Sequence, residues 1–144
     1  MWQNYIRKKE ELLEREAQVF PPPGPGCPDL NEFCLFHGTL HEHVDSICEG
    51  GFDERVSKLE GLDGGGVYFA EDSCKAHQYA KRGGCVFLCR VVLGDVYYTK
   101  SKMAGVRRPP KNKDSVVADY NKHREFVVYD RHQVYPVFIL YYQD

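Results

Sequence analysis

The chain has 144 residues, is 42% hydrophobic and 13% aromatic, and carries a formal net charge of −2. That bounds it to one domain, or one domain with a short appendage, with apolar content ample for a core. The near-neutral charge argues against a surface that coats nucleic acid, although it leaves room for a local basic patch, and no apolar stretch approaches the roughly 20 residues of a membrane span.

Taken in chain order, residues 2–20 read as a helix: Trp2, Tyr5, Ile6, Leu12, Leu13 and Val19 recur near helical spacing, and Glu11 stands four before Arg15. Charges from Arg7 onward leave no signal-peptide pattern. The proline- and glycine-rich residues 21–29 stop that helix and read as an extended linker. The compact unit then runs over residues 30–144. "EFCLFH" (32–37) is a predicted strand that ends in His-Gly-Thr, and residues 40–52 a predicted helix with Thr39 as N-cap, Gly50-Gly51 near its end and an apolar stripe of Val44, Ile47 and Cys48. Residues 53–66 form a polar, glycine-ending loop. Next come a short strand (67–70), a helix (72–82) and a buried strand (85–94). The stretch 95–122 reads mostly as loop because "RRPPKNK" breaks any regular element, and two strands follow in "REFVVYD" and "QVYPVFILYY". Strands with few short helices point to an α+β arrangement of packed sheets rather than alternating βαβ units.

Six cysteines (27, 34, 48, 74, 85, 89) lack zinc-like spacing. Because Cys34, Cys48, Cys85 and Cys89 lie in apolar patterns, they read as reduced, mostly buried thiols of an intracellular protein, in cytoplasm or nucleus. The glycines at 61, 64, 65 and 66 precede a strand instead of opening a helix, and no Gly-Lys-Ser/Thr occurs, so a phosphate loop is excluded. His37, His41 and His43 lack the converging partners of a zinc site. Glu125 opens the most β-prone segment, and alone it reads as a solvent-facing strand end. It gains chemical meaning only if His37 and an aromatic wall from Tyr68 and Tyr79 stand beside it.

"LFHGT" (35–39), "GGGVYFAEDSCKAHQY" (64–79) and "REFVVYDRHQVYPVFIL" (124–140) together resemble the catalytic domain of the poly(ADP-ribose) polymerase family, ADP-ribosyltransferases of the diphtheria-toxin type. "MWQNYIRKKEE" is similar to the helix preceding this domain in the mono-ADP-ribosylating branch, while "FDER" and "YFAE" are closer to tankyrase. The resemblance implies an ADP-ribosyltransferase fold, two packed and mostly antiparallel sheets with short flanking helices and NAD+ in a cleft. It implies a His37–Tyr68–Glu125 triad: His37 and Thr39 on the adenosine ribose, Gly38 on the nicotinamide amide, Tyr68 and Tyr79 stacking the nicotinamide, and Glu125 on the 2′-hydroxyl of its ribose. Arg55, Phe69, Ala70, Lys75 and Ala76 complete the implied NAD+ contacts, Ala76 standing where the family usually has a serine that bonds the nicotinamide carbonyl. The implied reaction transfers ADP-ribose from NAD+, a substrate rather than a cofactor, to a protein acceptor or to the enzyme itself. No metal is implied. The tankyrase-type zinc insertion and the helical regulatory domain of the DNA-dependent members are absent, so direct DNA binding is not expected. The alternative is a weak or inactive NAD- or ADP-ribose-binding module, and an RNA 2′-phosphotransferase is disfavoured by the lack of arginines around the motifs.

Overall fold

The computed structural model describes residues 1–19, 31–53, 65–80, 84–101, 106–119 and 124–141. Among them are three helices, α1 (Trp2–Val19), α2 (Val44–Gly50) and α3 (Ser73–Ala80). Seven strands accompany them: β1 (Glu32–Thr39), β2 (Val67–Phe69), β3 (Cys85–Val92), β4 (Val96–Thr99), β5 (Ser115–Asp119), β6 (Arg124–Val128) and β7 (Val134–Tyr141). They form one sheet in the order β1-β3-β7 and another in the order β2-β6-β5-β4. Every pair is antiparallel except β4 with β5. This is the expected α+β arrangement of two mostly antiparallel sheets.

Period-two alternation decides which side chains enter the core. Leu35, Phe87, Cys89 and Val91 from the first sheet meet Val67, Phe69, Val117, Phe126 and Val128 from the second, with Val44, Ile47 and Phe52 closing one end. The opposite face of the first sheet is covered twice. α1 lays Tyr5 and Leu12 on Val92 and Tyr135, and α3 lays Ala76 and Ala80 on Val86 and Phe36. Glu32 ties α1 to the sheet, accepting from Arg90 Nε at 2.9 Å and pairing with Lys9 Nζ at 2.5 Å. Burial alone would raise the Glu32 carboxyl, but those two cations outweigh it and hold the pKa below the ordinary value. Pro136 is tolerated within β7 because it lies at a register shift on an edge strand.

Several sequence expectations are corrected. The stretch 95–122 holds β4 and β5: "VYYT" and "SVVAD" are too short to stand out beside "RRPPKNK", and they become strands by pairing with each other and with β6. β1 does not stop at His37 but runs on through Gly38 and Thr39, paired with Val86 and Cys85. Thr39 is therefore a strand residue and not an N-cap. The predicted helix 40–52 breaks into a 3-10 turn, His41–His43, with Leu40 at its cap, followed by the short α2. Cys34 and Cys48 are exposed, whereas Cys85 and Cys89 are buried. Cys34 falls on the covering face of β1 beyond the reach of α3, and Cys48 lies one position off the Val44–Ile47 stripe. Arg15 reaches Asp114, and Glu11 pairs with Lys8. The linker 21–29 and most of the glycine loop lie outside the described residues.

Candidate active site

The two sheets touch where β1 meets the end of β2. Phe36 and Ala70 exchange both backbone hydrogen bonds, 2.8 Å each. Continued in antiparallel register, the next such pair would be Gly38 with Tyr68. It does not form. His37 Nδ1 instead takes the Tyr68 carbonyl at 2.7 Å, so a side chain stands in for the neighbouring strand and the two strands part. By strand periodicity the Gly38 N–H and C=O point into the gap, away from β3, with no backbone partner found among the described residues. A donor and an acceptor side by side on a strand edge match a planar carboxamide.

The ring of His37 lies on the other face of β1, edge-on to Phe52 at 4.7 Å and tilted on Phe69 at 5.5 Å. Burial pushes its pKa down to about 4, against the opposing pull of the Tyr68 carbonyl. The ring is thus neutral at pH 7. A carbonyl only accepts, so Nδ1 carries the proton and Nε2 is left as an acceptor for a hydroxyl.

The gap is narrow and is lined by Phe36, Gly38, Tyr68 and Ala70, by Lys75, Ala76 and Tyr79 of α3, and by Glu125. Glycine is required at 38 because α3 rests on it: a Cβ there would lie 1.7 Å from the Ala76 carbonyl oxygen. Asp72 caps α3, accepting the Lys75 N–H at 2.8 Å. The helix so placed presents Lys75 and Tyr79, four apart, over the carboxylate of Glu125. Far from facing solvent, Glu125 is only 4% exposed. The β2–β6 register explains this, since one step beyond Phe69↔Phe126 sets Glu125 opposite Ala70, at the seam. Its Oε1 accepts from the Tyr79 hydroxyl at 2.5 Å and lies 3.7 Å from Lys75 Nζ. Its Oε2 is buried with no hydrogen-bond partner among the described residues. Next to it, Arg124 forks onto both Glu71 oxygens (2.6 and 2.7 Å), pinning the start of β6 to the turn before α3.

Most of the residues singled out in the sequence thus converge. Gly38, Tyr68, Phe69, Ala70, Lys75, Ala76, Tyr79 and Glu125 share the gap, and His37 sits behind it, joined through Tyr68. Thr39, buried at the end of β1, does not line it, and Arg55 lies outside the described residues. Sequence reasoning missed Phe36, although its period-two relation to Gly38 puts both on one face of β1, and Phe52, which fixes the His37 ring.

A seam of two mostly antiparallel sheets that part beside an unpaired backbone edge and a buried carboxylate agrees with the ADP-ribosyltransferase fold that the resemblance implies. Comparison with known proteins narrows this: a family model, "Poly(ADP-ribose) polymerase catalytic domain", matches residues 2–124, and the chain belongs to that family. The match stops one residue short of Glu125. The chain is 38% identical over 152 residues to "Protein mono-ADP-ribosyltransferase PARP12" of Mus musculus, covering 99% of this chain and 20% of that protein. It is 30% identical over 171 residues to "Protein mono-ADP-ribosyltransferase PARP11" of Homo sapiens, covering 97% of this chain and 47% of that protein. It therefore spans only a part of each of these relatives. Among the described residues no helix is long and apolar enough to cross a membrane.

Proposed function

We propose that this chain transfers ADP-ribose from NAD+ to a protein acceptor, releasing nicotinamide. The observation that carries the proposal is Glu125, a carboxylate that lines the gap and whose buried Oε2 has no hydrogen-bond partner among the described residues, beside a Gly38 backbone edge that likewise has no backbone partner among them. Leaving such an atom unsatisfied costs about 1–3 kcal/mol or more, which a hydroxyl-bearing ligand would recover. The carboxamide would sit on the Gly38 edge with its ring against Tyr68 and Tyr79, and the 2′-hydroxyl of its ribose would donate to Oε2. His37 Nε2 would accept from the adenosine ribose. As the C1′–N bond breaks, its electron pair stays with nicotinamide and positive charge develops on the ribose, as in glycoside hydrolysis. A carboxylate already in place stabilises that charge without reorganisation. A nucleophilic atom of the acceptor then bonds C1′ and loses its proton.

NAD+ is consumed as substrate, and neither metal nor redox cofactor has a role in this scheme. The relatives' names support transfer of single units. Incubation with NAD+ labelled in its adenylate, followed by a denaturing gel, tests both points. One sharp labelled band is expected, a ladder would mean polymer, and absence of label would overturn the reading.

A further inference from the structure

We propose that Tyr79 acts through its hydroxyl as the positioning residue for the Glu125 carboxylate, a reading that rests on the role given to Glu125 above. A glutamate's terminal torsion is broad and roughly two-fold, so a buried carboxylate held by nothing would present either oxygen in many planes. Here Oε1 is taken by the Tyr79 hydroxyl at 2.5 Å, a length typical of a charge-assisted O–H···O⁻ bond. That bond fixes the plane and leaves Oε2, buried and without a hydrogen-bond partner among the described residues, as the oxygen open to a substrate hydroxyl.

The geometry needs all of α3. Gly38 admits the helix to contact at Ala76, and Asp72 caps its first turn. Lys75 stands one turn before Tyr79 with its ammonium 5.6 Å from the ring centroid. Tyr79 is 44% exposed, so its ring stands at the mouth and only the hydroxyl reaches the floor. One side chain would then do two separable things: its ring walls the leaving group, and its oxygen aims the carboxylate.

The test is Tyr79→Phe, which keeps the ring and removes the oxygen. Because Oε1 then keeps only the Lys75 ammonium at 3.7 Å, the variant should fold with a modestly lowered melting temperature, and kcat is read well below it. The kcat for nicotinamide release should fall roughly 10- to 150-fold, the equivalent of one hydrogen bond to a charged group. KM for NAD+ should stay within about twofold, as ring stacking persists. Tyr79→Leu should raise KM as well. In a Glu125→Ala background, Tyr79→Phe should have no further effect, since the two act as a unit. A readout independent of turnover is the Glu125 carboxyl resonance in protein labelled with ¹³C-glutamate, assigned by its loss in Glu125→Gln. It should move in Tyr79→Phe while other glutamates stay put. An unmoved resonance, an unchanged kcat, or an equal loss in the Glu125→Ala background would each overturn the proposal. If the wild-type protein turns over no NAD+, the proposed reaction falls, and the resonance alone decides whether Tyr79 orients Glu125.

Discussion

Substituting Gly38 by alanine should separate folding from activity more sharply than any other change. The added Cβ would stand 1.7 Å from the Ala76 carbonyl oxygen, 2.7 Å from its carbon and 3.1 Å from the Ala80 nitrogen, all backbone atoms that cannot rotate aside. To restore van der Waals spacing, α3 must retreat by roughly 1.5–2 Å. Overpacking of this kind typically costs about 1–3 kcal/mol, tolerable for a folded domain. The same retreat would stretch the 2.5 Å Tyr79–Glu125 bond out of hydrogen-bond range and shift one wall of the gap. A misplacement of about 1 Å near reacting groups can cost on the order of 10²-fold in rate. Urea denaturation should therefore show a folded but weakened variant, and nicotinamide release at saturating NAD+ should fall at least about 10²-fold. Gly50→Ala is the control: nothing lies within 4 Å of its added Cβ and the residue is helical, so stability should rise slightly and turnover stay unchanged. A Gly38→Ala enzyme with more than half the wild-type turnover would refute the placement of α3.

Three further outcomes follow from the same geometry. With its pKa lowered to about 4 in the folded state against an ordinary 6.5, His37 must lose its proton to fold. The unfolded chain binds more protons between those values, so stability is full above pH 6.5 and declines toward pH 4; the loss from pH 7 to 5 should be about 2 kcal/mol in urea titrations and absent in His37→Asn, and a His37→Asn profile as steep as wild type would discount the half-buried neutral ring. Ala76→Ser should tighten carboxamide inhibitors about two- to twelve-fold in calorimetry, the worth of one neutral hydrogen bond, while ligands gripping only adenosine stay unaffected; equal or weaker carboxamide binding would mean that residue 76 does not face the amide. Chelators should leave melting temperature and turnover unchanged, since among the described residues no three His, Cys, Asp or Glu side chains converge on a metal-sized site; a loss with EDTA restored by zinc would contradict this.

What the sequence made legible, and what it did not, divides along the range of the interactions. The apolar run of Cys85–Val92 and the helical spacing of Tyr5 and Leu12 are local, and both elements formed as expected. β4 and β5 are four and five residues long and owe their state to partners far along the chain, which no local window contains. His37 and Gly38 were legible as a pair, but as the end of a strand. That the ring replaces a strand neighbour at Tyr68, and so frees the glycine edge, is a contact across 31 residues. The Tyr79–Glu125 bond spans 46, and which residues of the outer face of β1 are covered depends on where α3 packs. Resemblance to a family supplied which residues share the site. Only geometry supplied how the carboxylate is held.

The central claim is that the buried, half-satisfied carboxylate of Glu125 stabilises the charge that develops when nicotinamide leaves. It is tested most directly by nicotinamide release from NAD+ by the wild-type chain and by Glu125→Gln, with NAD+ binding of both measured by calorimetry. Glutamine keeps the shape and an acceptor oxygen but not the charge, so binding should stay within a few-fold while release falls about 10²–10³-fold, as for loss of a preorganised electrostatic group. A Glu125→Gln chain that releases nicotinamide at more than a tenth of the wild-type rate, with binding intact, would contradict the account.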